Sequence, residues 1–282
     1  MKETKAQKII AYAILTIVLL VTLFPLIYTL ACSFKSNSEI MAHPEVVFTK
    51  EPTFDNYVQC WTAPDFNVPL LLRNSIVYTL ARVFIDVMIA CTSGYAFAKG
   101  HFKGKKIIFG MFLSLMFIKV GGITIYATFN VLTFFHLPQS LYSLLILALF
   151  GVPVTNMYLV RGNIESLPGA IDEAAKVDGA SFPVIFFRVI FPLLKPIIAT
   201  IAILAFQGSW NDYLMPTIFT LTRPTQRTLI VGLMALKNSS GAATSWNLMF
   251  AGSVIALLPV LVAYGFANKY FVSGIAAGAV KG

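Results

Sequence analysis

Arg82 and Asp86 stand four residues apart within an apolar run, so on a helix they share one face and can form an ion pair. A charge at mid-bilayer costs about 2.5–3.5 kcal/mol on insertion scales, so such a pair is expected to face a protein interior or a polar pathway. Two readings follow, a pore or gating element and a structural ion pair that fixes a helix interface. Lys119 lies in another apolar run, interrupted just afterwards by Gly121-Gly122, and could line a pathway or snorkel to the surface. Catalytic chemistry finds no support. His43, His101 and His136 fall in three different loops and give no metal-ligand pair, and no Gly-x-Ser-x-Gly is present. Gly100-His-Phe-Lys-Gly104-Lys105 is one residue short of a phosphate-binding loop and follows an apolar run rather than a strand. Cys32, Cys60 and Cys91 form no CxxC and no disulfide framework. The expectation is therefore a chain that is not an enzyme, with no metal and no cofactor of its own.

The elements that carry these residues are membrane spans. Of 282 residues, 57% are hydrophobic and 12% charged, about half the charge of a soluble domain. The spacing predicts six apolar helices, at about 9–30, 75–98, 107–129, 141–160, 194–217 and 246–270, each of a length to cross about 30 Å of hydrocarbon. The expected fold class is thus an all-α integral membrane protein built as one domain over 1–282. Ile9–Leu30 is too long for the apolar core of a signal peptide. Thr29-Leu30-Ala31-Cys32 resembles a lipoprotein cleavage site, but Thr29 stands where an aliphatic residue belongs, so a retained first helix is expected. With both termini inside, the inner segments hold roughly twice as many lysines and arginines as the outer ones, which predicts cytoplasmic termini. The net charge of +9 does not indicate nucleic acid, because the basic residues are dispersed and form no stripe on a polar face.

One connector is more ordered than a link between spans needs to be. Between the fourth and fifth spans, about 163–192, Ser166 and Pro168 read as the start of a short helix with Asp172 and Glu173 toward its positive end. Gly179 suits its left-handed end, and Ser181 with Pro183 starts a second helix running toward Pro192 and Pro196. Ala174 and Ala175 leave room for close approach of another surface, so the segment reads either as a partner-docking hairpin or as a solvated connector.

Glu173-Ala174-Ala175, Asp178-Gly179-Ala180, then Val189, Phe191 and Pro192 closely resemble the EAA motif of bacterial ABC importer permeases, with Val and Phe in place of the usual Ile and Leu. The resemblance extends to Asn74-Ser75, Tyr95-Ala96-Phe97-Ala98, Trp210-Asn211-Asp212 and the closing Phe271–Ile275 and Gly278–Gly282. The chain looks like the carbohydrate-uptake branch, similar to the shorter permease subunit of maltose-type transporters. It departs at Phe117–Gly122, where relatives commonly carry a proline-containing segment.

The resemblance implies a type I importer fold in a bacterial cytoplasmic membrane. The expected partners are a second permease in a heterodimer, a cytoplasmic ATPase dimer that holds ATP and Mg, an extracytoplasmic solute-binding protein, membrane lipid and a sugar substrate. It implies that Glu173, Ala174, Ala175, Asp178, Gly179 and Ala180 lie at the ATPase contact. Gly278, Ala279, Val280, Lys281 and Gly282 would form a second contact there. The stretch with Asn238, Ser239, Ser240, Gly241 and Ala242 would project into the binding protein. Trp210, Asn211, Asp212 and Tyr213 near the outer mouth read either as sugar contacts or as an interfacial aromatic belt. The competing reading is a stand-alone secondary carrier or channel that uses Arg82, Asp86 and Lys119 as coupling charges. A carrier commonly shows inverted repeats, and none is evident.

Overall fold

The computed structural model describes residues 5–63, 66–118, 123–237 and 244–279. In chain order the helices are α1 Lys5–Cys32, α2 Asn37–Ala42, α3 Asp55–Thr62, α4 Val68–Lys99, α5 Lys105–Phe117, α6 Ile123–Phe134, α7 Leu141–Ala148, α8 Val154–Glu165, α9 Ala170–Val177, α10 Phe182–Ile185, α11 Phe191–Leu193, α12 Lys195–Trp210, α13 Leu214–Phe219, α14 Leu229–Lys237 and α15 Trp246–Ala279. A π-helical turn, Phe186–Ile190, joins α10 to α11. Among the described residues there is no strand.

Among the described residues, three helical stretches are long and apolar enough to cross a bilayer alone: Gln7–Cys32, Val68–Lys99 and Trp246–Phe266. Their predominantly apolar composition suits lipid, where each backbone N–H and C=O must find its partner within the helix itself. Large side chains of α1 such as Ile9, Tyr12, Leu15 and Val21 stand open on its surface, as they would toward lipid. A fourth crossing is available if Phe182–Leu193 and Lys195–Trp210, bent by 82°, count as one span. The bend falls where Pro192 and Pro196 each remove a backbone donor from the ladder.

Several expected spans are interrupted. The run 141–160 divides into α7 and α8, because Pro153 cannot donate to the preceding turn and restricts Val152 as well. The run 107–129 is carried by α5 and α6, with 119–122 between them outside the described residues. The run 194–217 stops at Trp210 and resumes as α13 at Leu214.

The chain forms two compact units. In the first, made of 1–71 and 231–259, the segment after α1 folds around buried polar groups. Asn56 donates to the carbonyls of Ser33 and Lys35, both at 2.8 Å, and accepts from Asn247 at 2.8 Å. Lys35 is fully buried and its ammonium donates to the Val46 carbonyl. Glycine sets the helix approach here. A Cβ at Gly252 would lie 2.5 Å from Leu233 Cδ2, and one at Gly232 would lie 2.4 Å from Leu71 Cδ1.

The second unit, 72–230 and 260–282, has a core in which Ala90, Cys91 and Tyr95 of α4 meet Val160 and Ile164 of α8 and Ile185, Phe186 and Ile190 of the hairpin. α4 and α8 come close at Gly94, where a Cβ would fall 2.8 Å from Val160 Cγ1.

Candidate functional site

The hairpin is built from turn chemistry. α8 runs on to Glu165, so Ser166 closes that helix instead of opening the next. Its N–H donates to the Gly162 carbonyl at 3.2 Å and its hydroxyl to the Asn163 carbonyl at 2.7 Å. The expected N-cap is thereby corrected, and α9 begins one turn later behind Gly169. The far end of α9 follows the sequence expectation. Gly179 takes φ 77°, its N–H donates to Lys176, and the Ala180 N–H donates to Ala175, which closes the helix in a Schellman motif. Ser181 and Pro183 then start α10.

This geometry divides the hairpin into two faces. Glu173, Ala174, Asp178 and Gly179 are exposed, and Val177 is 87% exposed. Ala175 is buried and Ala180 packs against the same core. The small size of Ala175 therefore serves packing within the chain, whereas Ala174 is open to a partner. Val177 is a bare apolar residue between Lys176 and Asp178 and adds itself to the candidate docking face.

Behind this face, α4 holds the hairpin. Tyr95 packs on Phe182 and Phe186 with ring centroids 4.4 and 5.1 Å apart. Lys99, at the end of α4, pairs with Asp172 of α9. Asp172 is 7% exposed, and its second carboxylate oxygen has no partner among the described residues. A cavity of about 410 Å³ lies beside the pair, lined by Lys99, His101, Glu173 and Lys176 among others.

A second cavity, of about 480 Å³, brings together Arg82, Asp86 and Asp212. Arg82 Nε donates to Asp86 Oδ1 at 3.1 Å, the i, i+4 pair expected from the sequence. Asp212 faces the same cavity from the turn after α12, with its carboxyl beside Tyr78 and Arg82 and accepting from the Met215 N–H at 3.4 Å. The wall is completed by Ser209 of α12 and by Pro153 to Asn156 at the start of α8. The other candidates near Asp212 do not line it. Trp210 is buried and stacks on Phe206 at 5.6 Å, Asn211 donates back to the Gln207 carbonyl at 3.0 Å, and Tyr213 is 38% exposed. Tyr78, Asn156 and Ser209 went unnoticed in the sequence. The signal for Asn156 was Gly151-Val152-Pro153, a helix breaker inside an apolar run.

Lys119 lies outside the described residues, as do Asn238, Ser239, Ser240, Gly241 and Ala242, and also Val280, Lys281 and Gly282. Gly278 and Ala279 are the last turn of α15.

Long lipid-facing helices, broken spans around a charged cavity and a projecting helical hairpin define a membrane transport component. The chain belongs to the family of binding-protein-dependent transport system inner membrane components, whose model matches residues 68–276. It is therefore an ABC-importer permease, a transport subunit. It is 32% identical over 273 residues to the galactooligosaccharides transport system permease protein GanQ of Bacillus subtilis (strain 168), covering 96% of this chain and 95% of that one. It is also 32% identical over 287 residues to the maltodextrin transport system permease protein MdxG of the same organism, covering 98% and 97%. The probable starch degradation products permease AmyC of Thermoanaerobacterium thermosulfurigenes is 30% identical over 281 residues, across 100% of both chains. In fold the chain is similar to a chain of a bacterial ABC transporter involved in the import of the acidic polysaccharide alginate, with TM-score 0.82, 23% identity and coverage of 96% and 99%.

Proposed function

We propose that this chain is one of two permease subunits of a sugar or oligosaccharide importer in a bacterial cytoplasmic membrane. The relatives named for galactooligosaccharides, maltodextrin and starch products support the substrate class. The chain crosses the membrane six times as one permease domain, with α5–α6 and α7–α8 as its third and fourth crossings and both termini in the cytoplasm. ATP and Mg sit on a separate ATPase dimer, and this chain binds no cofactor. A solute-binding protein delivers sugar from outside to the loop containing Asn238 to Ala242, and the tail Gly278 to Gly282 gives the ATPase a second hold.

The observation that carries this reading is the two-faced hairpin. Its inner face is packed into the second unit's core and tied to α4 by Lys99–Asp172, while Glu173, Ala174, Val177, Asp178 and Gly179 stand free. A partner that grips the free face pulls on α4 through the inner one, which converts closure of an ATPase dimer into span movement. Ala175 and Ala180 support the contact from beneath.

The test is Gly179→Pro. Proline fixes φ near −65° and removes the N–H that donates to Lys176, so the turn at φ 77° cannot form. Membrane insertion should persist while co-purification of the ATPase is lost. Normal co-purification would refute the docking assignment.

A further inference from the structure

The cavity beneath Arg82 contains polar groups that the fold itself leaves unused. Asn156 is 8% exposed, lines the cavity and makes no side-chain hydrogen bond to any described residue. Ser209 is equally buried, and its hydroxyl makes no bond to the described residues, although a serine inside a helix ordinarily donates to the preceding turn. Their polar atoms are not sealed off, so both stay open to bond whatever occupies the cavity. Val154, Thr155 and Asn156 are also the first residues of α8, whose opening N–H groups have no intrahelical acceptor. These three observations converge on one wall. Arg82, Asp86 and Asp212 line the same cavity.

We propose that this chain carries its own saccharide subsite in that cavity, selective for uncharged sugars; the proposal rests on the importer reading above. The donor and acceptor set matches a polyol. The Asn156 amide and the α8 N–H groups offer donors to ring and hydroxyl oxygens, the Asp212 carboxylate accepts from sugar hydroxyls, and Ser209 does either. The volume of about 480 Å³ lies within the range of ligand pockets. Charge decides the class. The positive end of α8 would welcome an anion, but one guanidinium, already bonded to Asp86, faces two carboxylates. A uronate would bring a third carboxylate into the same space, whereas a neutral oligosaccharide adds none.

The experiment uses the complete transporter, with partner permease, ATPase dimer and binding protein, in proteoliposomes. The probes are maltotriose, galactotriose, arabinotriose and trigalacturonate. The native complex should import at least one neutral trisaccharide. Asn156→Ala and Asp212→Asn should each lower its kcat/KM about tenfold, the loss of one ligand hydrogen bond, at unchanged membrane level and elution volume. Ser209→Cys supplies a second readout. Its labelling by a cationic methanethiosulfonate should slow at least fivefold with the imported trisaccharide and not with trigalacturonate. Undiminished uptake by both variants overturns the subsite. So does lowered uptake without protection of Ser209→Cys, which would make Asn156 a packing residue. Equal protection by trigalacturonate overturns the selectivity. Failure of the native complex to import any neutral trisaccharide refutes the sugar reading itself, and the subsite falls with it.

Discussion

Lys99 and Asp172 meet from distant parts of the chain, and neither was legible as half of a pair. In the sequence one is a basic residue ending a span and the other an acidic residue in a helix's first turn. Only the packing of Tyr95 against Phe182 and Phe186 brings them together. With Asp172 buried, Lys99→Met leaves a carboxylate without its cation, a loss of about 3–5 kcal/mol for a buried pair broken on one side. The expected outcome is a lower thermal unfolding midpoint in detergent and weaker coupling of ATP hydrolysis to uptake. Combining Lys99→Met with Asp172→Leu should recover much of the stability but not the coupling. Arg82–Asp86, by contrast, was fully legible, because helical spacing alone dictates it. Asp212 joins them only through tertiary folding, so its membership of that cavity was not. Cys60 gives a pH-dependent prediction. Burial pushes its thiol up to about 11. At pH 8 maleimide should label it at least about 100-fold more slowly than the unfolded chain, since two pKa units separate the thiolate fractions. The raised value also means that the contribution of this buried neutral thiol is fully present below its unfolded value of 9.0 and is lost as pH rises toward about 11.

At the scale of elements, hydropathy located the apolar runs well and their interruptions poorly. The run 141–160 is apolar throughout, and a window average passes over Gly151-Val152-Pro153 even though Pro153 must end a helical ladder. The hairpin was easier to read, because Gly179 and Ser181-Phe182-Pro183 are local punctuation that tertiary contacts did not override. Ser166 was misread since nothing near it shows how far α8 extends. The polar segment after α1 hid α2 and α3, which are short and held by long-range bonds such as Asn37 to the Trp246 N–H at 2.9 Å. The glycine contacts also escaped the sequence. Gly252→Leu should destabilise the first unit by about 1–3 kcal/mol through overpacking against Leu233 and Phe66, seen as a lowered unfolding midpoint and reduced membrane level.

At the scale of the whole molecule, the proposed reading is a conduit moved from one side by a partner ATPase. That arrangement requires the hairpin to lie in the cytoplasm. A Glu173→Cys variant should react with an impermeant thiol reagent in inside-out vesicles and not in intact cells or spheroplasts. The alternative, a self-sufficient carrier, has the charged cavity it would need but gives the hairpin no task.

Solute uptake into proteoliposomes, measured with and without the ATPase dimer and ATP, separates the two most directly. The account predicts accumulation of a neutral oligosaccharide only when partner permease, binding protein, ATPase and ATP are all present. Accumulation by this purified chain alone, without nucleotide, would contradict it.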